Sequence, residues 1–184
     1  MLTVAMSCAF AGNAIALTQK EYKVQKDQIS ADYKINHDKC NTLKANAKDI
    51  CVSEAKGAEK VAKAELEAQY KPSASNDEKV SLAKGDAAYD TAKEKCDDFA
   101  GNAKDVCVKD AKAAHVKAKA DAKVTKTAVD TSKKKAETMS EVKKDASAET
   151  REAEYKAAKE RCDSLAGAAK DTCQNDAKSK FGMK

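Results

Sequence analysis

The sequence predicts an all-α protein: three disulfide-clipped helical hairpins joined by long helices into an elongated bundle or coiled-coil-like array. Three observations predict it: the composition, an internal repeat with fixed cysteine spacing, and helix-stop signals between the paired cysteines. The 184 residues include 37 Ala and 33 Lys against 24 Leu, Ile, Val and Phe combined, with six Gly, one Pro and no Trp. Ala, Lys and Glu are good helix formers, and the β-branched and aromatic residues that favour strands are scarce. The four large hydrophobes make up about 13% of the chain, below the roughly 20% under which a chain struggles to build a core. The helices are therefore expected to share a thin core.

The first element is a leader. Residues 1–16 carry no charge and end in Asn13-Ala14-Ile15-Ala16, a small-x-small pattern before Leu17. The segment is too short to span a bilayer and reads as a secretory signal peptide cleaved after Ala16, although it lacks a positively charged n-region. The alternative is a short helix that stays attached. Cys8 has Ala5 three residues before it, where a lipoprotein acylation site carries Leu, and is read as an ordinary residue of the leader. Its removal leaves six cysteines, an even number that suits an oxidising compartment.

The mature chain is a threefold repeat. Residues 33–51, 89–107 and 155–173 align without gaps and share a Tyr, a basic residue before the first Cys, a large apolar residue three after it, and Ala-Lys-Asp before the second Cys. Cys40 and Cys51, Cys96 and Cys107, and Cys162 and Cys173 stand at the same spacing. Eleven residues of unbroken helix separate two Cα atoms by about 16 Å, whereas a disulfide requires less than about 7 Å. Either the chain turns between the cysteines, or the two thiols are not paired with each other; the helix-stop signals favour the turn. Gly101 and Gly167 supply left-handed C′ residues for it, Ala45 with Asn46 stands at the same place in the first copy, and Asn102 is a candidate cap for the following helix.

Apolar periodicity places the cysteines on facing stripes. Ile29, Tyr33, Cys40 and Leu43 recur at helical steps, as do Tyr89, Ala92, Cys96 and Phe99, and Tyr155, Ala158, Cys162 and Leu165. Ala47, Cys51, Ala58 and Ala62, with Ala103, Cys107, Ala114 and Ala118, form the expected opposing stripes. The repeats define hairpin units at 17–71, 77–130 and 131–184. Pro72 breaks the first junction, with Asn76 or Ser75 as cap of the next helix. Residues 110–161 contain no Pro or Gly and are expected to run as one helix of about 75 Å. A fold-back near Thr131-Ser132 or Ser147 is the alternative.

Chemistry-bearing motifs are lacking. The Cys spacing is neither the C-x-x-C of a redox site nor the short pairs of a zinc site, so all six cysteines are read as structural. His37 and His115 occupy non-equivalent positions among Lys and Asp and are read as solvated. The repeated Tyr33, Tyr89 and Tyr155 are read as packing against the partner helix with the hydroxyl at the edge. No catalytic, cofactor-binding or metal-ligating residue is assigned, and the chain is expected not to be an enzyme. The net charge of +5 arises from 35 basic and 30 acidic interleaved residues, with Lys133-Lys134-Lys135 the one basic triplet. Nucleic-acid binding, which wants a concentrated basic face with aromatic platforms, is not expected. Nor is a transmembrane span in the mature chain.

The Tyr-x6-Cys and Ala-Lys-Asp-x-Cys units, with the leader, resemble a group of small exported Ala/Lys-rich proteobacterial proteins, sometimes labelled TolA-like for composition alone. That resemblance implies a periplasmic or secreted, non-enzymatic helical protein and brings no catalytic residues. Its expected partners are another envelope protein or an anionic envelope surface. The runner-up resemblance is to late-embryogenesis-abundant stress proteins, whose Ala/Lys/Glu helices are similar to residues 117–159 but which generally lack cysteines.

Overall fold

A computed structural model describes residues 17–130 and 136–183. Among them are six helices and no strand: α1 (Gln19–Cys40), α2 (Ala45–Tyr70), α3 (Ala74–Cys96), α4 (Gly101–Asp130), α5 (Ala136–Cys162) and α6 (Gly167–Phe181). The leader with Cys8, Thr131-Ser132 and the Lys133–Lys135 triplet lie outside the described residues.

Each helix packs only on its neighbours in sequence, α1 on α2 through to α5 on α6, among the described residues. The result is a zigzag in one layer, with the three hairpins α1–α2, α3–α4 and α5–α6 side by side. This is the quasi-one-dimensional logic of repeat proteins, in which a unit is stabilised by its own interior and its nearest neighbours. The all-α, clipped-hairpin architecture read from the sequence is what the structure shows.

The core is as thin as the composition implies. Its members are mainly Ala55, Ala83, Ala113, Ala120, Ala122, Ala146, Ala157 and Ala177, and Leu66 is the one large aliphatic side chain among them. The largest fully buried side chains are Cys40, Cys96 and Cys162. Cystine thus occupies the best-buried positions that Leu or Ile fill in richer cores. Small residues let helices close up: a Cβ built on Gly57 of α2 would stand 2.8 Å from that of Ala87 on α3, and one on Gly85 would stand 3.1 Å from that of Ala118 on α4. Glycine costs a helix interior about 1 kcal/mol relative to Ala, so its place here marks the closeness of the crossing.

Four sequence expectations are corrected. Residues 110–161 are not one helix: α5 packs back along α4, so the chain reverses between Asp130 and Ala136. Val124, Val129, Met139 and Val142 are too sparse to specify a coiled-coil seam, whereas folding back buries Ala120 and Ala146. The alternative at Thr131-Ser132 falls in that interval. Second, Ala47, Ala58, Ala103 and Ala114 are exposed, and Ala55, Gly57 and Ala113 are buried instead. An inner helix is flanked on two sides, so its buried positions follow two lines, and alanine does not tell a buried line from an exposed one.

Third, α3 is capped by Ser73, whose hydroxyl accepts from Asn76 N at 3.1 Å; Asn76 itself is buried and donates to the Lys71 carbonyl at 2.7 Å. Fourth, the Asn102 side chain leaves its own helix and donates to the Glu160 carbonyl at 3.1 Å. The α1 start carries a capping box that the sequence reading passed over. Thr18 Oγ1 accepts from Glu21 N, and the Thr18 hydroxyl and amide donate to Glu21 Oε2 at 2.7 and 2.9 Å, which together hold the Glu21 carboxyl below its usual range.

Candidate interaction surface

The cysteine-bearing turns all lie at one end of the layer and share one local build. Cys40–Cys51, Cys96–Cys107 and Cys162–Cys173 are joined, with Cα separations of 5.5, 5.6 and 5.7 Å. In each, the first helix ends at its Cys, whose carbonyl accepts from the amide three residues on: Leu43, Phe99 and Leu165 at 3.1, 3.1 and 3.0 Å. The next helix then opens through a left-handed residue, Ala45 (φ 49°), Gly101 (φ 55°) or Gly167 (φ 56°). Glycine adopts that conformation freely, while alanine pays about 1–2 kcal/mol for it. The turn expected in the first copy is therefore present but strained.

The turns are also tied to one another. Asn46 Nδ2 donates to the Glu94 carbonyl at 2.9 Å and to Asp98 Oδ1 at 2.8 Å, joining the first tip to the second. Asn102, at the same repeat position, joins the second tip to the third through Glu160. The third copy has Ala168 there. Within the tips, Lys104–Asp97 and Lys170–Asp163 form equivalent 2.9 Å ion pairs, and the second holds the Asp163 carboxyl below its usual range.

One consequence of this build reverses the sequence reading. Leu43, Phe99 and Leu165 were expected on the packed stripe, but each follows the helix end and stands 41%, 52% and 42% exposed. Three large apolar side chains at equivalent positions thus line one edge of the layer. A monomer tolerates scattered exposed hydrophobes; their recurrence at one repeat position is the informative feature.

A second cluster lies at mid-height between α2, α3 and α4. The His115 ring stacks on Tyr89 with centroids 4.6 Å apart, and its Nε2 is 2.7 Å from Asp86 Oδ1. Lys60 Nζ donates to Asp86 Oδ2 at 2.6 Å. Asp86 is held below the usual aspartate range, first by Lys60 and then by His115. His115 is therefore a half-buried link between helices, not the solvated residue the sequence suggested; His37, near Asp38 at 3.9 Å, remains at the surface. The Tyr89–His115 pairing was legible only once the two helices were set in register. The repeated tyrosines pack less uniformly than expected: Tyr89 and Tyr155 meet the partner helix at His115 and Phe181, whereas Tyr33 lies against His37 on its own helix.

The groove that reaches Lys60 of this cluster is open and lined mainly by charged and polar side chains, among them Asp49, Lys56, Asp90, Lys93 and Glu94. The groove between α4 and α5 is open and lined by Val116 and Ala153 with Lys109, Lys112, Glu149 and Glu152. Among the described residues, no group of three or more His, Cys, Asp or Glu is placed to hold a metal ion, and no helix is long and apolar enough to cross a membrane. Comparison with protein-family models, curated proteins and solved structures finds no match.

Proposed function

We propose that this protein is a non-enzymatic, exported helical module of the cell envelope, periplasmic or secreted, which serves as a spacer or interaction scaffold. The observation that carries this reading is the recurrence, at one end of the layer, of three disulfide-clipped turns that each expose one large apolar residue. Disulfides persist in oxidising compartments, and here Cys40, Cys96 and Cys162 are the largest fully buried side chains of a core poor in aliphatic residues. The rigid tips present Leu43, Phe99 and Leu165 at fixed spacing, an arrangement suited to another envelope protein that reads several tips together. An anionic envelope surface is the weaker partner, because Lys104 and Lys170 at the second and third tips are paired with Asp97 and Asp163.

Capture from native envelope extracts by the oxidised protein, compared with a Leu43→Ser, Phe99→Ser, Leu165→Ser variant, tests the reading. A partner retained by the parent and lost by the variant supports it; capture that ignores the substitutions removes the tips as the contact edge. A stress-protective role of the late-embryogenesis-abundant kind is the competing reading. It requires a chain that is largely disordered in dilute solution, and circular dichroism of oxidised and reduced samples separates the two. High helicity that melts cooperatively and weakens on reduction belongs to the scaffold.

A further inference from the structure

The outer face of α1 packs on no other helix among the described residues. Val24, Ala31 and Ile35 stand 16, 9 and 5 residues before Cys40 and are all exposed, Val24 at 61% and Ile35 at 54%. The same offsets before Cys96 give Val80, Ala87 and Thr91, and before Cys162 they give Ala146, Ala153 and Ala157. In those copies the face packs against the second helix of the preceding hairpin. Ala87 meets Gly57, Thr91 Oγ1 lies 3.4 Å from Ser53 Oγ, and Ala146 and Ala157 are buried. No hairpin precedes α1 among the described residues. Yet its face is more apolar than its equivalents, with Ile35 where the others carry Thr91 and Ala157.

The opposite edge of the layer differs. On α6 the tip donor is replaced by Ala168, and the positions of Ser53 and Gly57 hold the exposed Asn175 and Ser179. A polar outer face of this kind ends a repeat array. One edge is therefore open and the other closed, which disfavours head-to-tail growth and leaves the open edge to meet its own copy.

We infer that a second copy of this chain covers the outer face of α1 through a two-fold, antiparallel pairing of the two α1 helices. A two-fold contact is self-complementary and finite. With the axis between Gln28 and Ala31, Val24 of each copy faces Ile35 of the other; the two residues are about 16 Å apart along one helix. Ala31 allows close approach at the centre. Asp27 and Lys34, both exposed, flank the seam so that each Asp27 faces the other copy's Lys34, giving two complementary pairs by symmetry. Glu21 and Asp38 approach as like charges at each end and restrain the affinity. A helix of 22 residues is about 33 Å long, so this contact falls in the small class of reversible interfaces.

Sedimentation equilibrium of the oxidised protein over a wide concentration range tests the pairing. A reversible monomer–dimer equilibrium that stops at the dimer is expected. Ile35→Lys should weaken it at least tenfold while leaving the thermal melt of the monomer in place, because Ile35 is more than half exposed there. Asn175→Lys with Ser179→Lys on α6 should leave it unchanged. Ala31→Cys should give a disulfide-linked dimer, since the two-fold axis passes beside that residue. A protein that stays monomeric throughout overturns the inference. So do open-ended oligomers dispersed by the α6 substitutions, or a dimer indifferent to Ile35→Lys that does not cross-link through position 31.

Discussion

The two joins between hairpins begin alike and end differently. At the clipped end, α2–α3 and α4–α5 use the same device: Asn46 or Asn102 reaches across to the carbonyl two residues before the next hairpin's first cysteine. Away from the tips they diverge. The α2–α3 join is drawn tight by Gly57 against Ala87 and closed below by Ser73, with Asn76 bound to the Lys71 carbonyl. The α4–α5 join has Ala113 in place of Gly57, and its open groove is lined by Val116 and Ala153 with Lys112 and Glu149, where that of α2–α3 is lined by Ser53, Lys56 and Asp90. Register is thus fixed at the tips, where the repeat is conserved within the chain, and the arms have been free to vary in closeness.

The clips are expected to carry the largest effect, because both joins depend on them. Replacing Cys96 and Cys107 by Ser removes the clip of the hairpin shared by both joins. It should cost about 2–3 kcal/mol on the chain-entropy estimate for a loop of this size, read as a lowered denaturant midpoint. If the joins carried the fold without the clips, the midpoint would barely move.

Gly57→Ala and Ala113→Gly probe the difference between the joins directly. At an ordinary helix position the first change gains about 1 kcal/mol and the second loses as much. Here the methyl added at Gly57 meets Ala87 at 2.8 Å, so Gly57→Ala is expected to destabilise by about 1 kcal/mol or more. Both substitutions should therefore lower the melting temperature. A stabilised Gly57→Ala protein would mean that the α2–α3 join is no tighter than its counterpart.

The shared Asn device predicts similar, smaller effects at the two tips. Asn46→Ala and Asn102→Ala should each cost about 1 kcal/mol, the former slightly more because Asn46 also bonds Asp98. Ala45→Gly should relieve the left-handed strain and stabilise by about 1 kcal/mol. The same substitution reversed, Gly101→Ala, should cost about as much. Chemical denaturation of the four variants in parallel reads the set.

The smallest effect is a dependence on pH. Lys60 and His115 hold Asp86 below its ordinary value, so the folded protein favours its ionised form. The stability this contributes is present above the unfolded aspartate value of about 3.9 and is lost as pH falls through the lower folded value. Asp86→Asn should accordingly flatten the acid limb of a stability–pH profile, below pH about 4.

How much of this was legible in the sequence follows the same division. The tips were legible because a C-x10-C pair cannot close on a straight helix, and Gly101 and Gly167 mark where the turn must come. The arms were less so. Alanine helps every helix position and identifies no face, so Ala55 and Ala113 could not be told from Ala58 and Ala114 before their neighbours were known. The reversal after Asp130 lacks the Pro or Gly that announces one, and it is set by the burial of Ala120 and Ala146 rather than by a local stop. The exposed row of Leu43, Phe99 and Leu165 was visible as a repeated residue but misassigned to the packed stripe, because helical periodicity was carried past the residue where each helix ends. His115 was misread for a related reason: its partners Asp86 and Tyr89 lie on another helix, and only the hairpin register brings them together.

The central claim is that the chain folds back on itself at every junction into one layer. Spin labels placed at positions 112 and 156 by chemistry that spares the cystines test it most directly. In the folded-back layer these positions lie across a single groove, on helices whose axes are about 8–10 Å apart. A distance distribution confined to the short range agrees with the layer. A distribution centred near 66 Å, about the span of 44 residues of continuous helix, would contradict it.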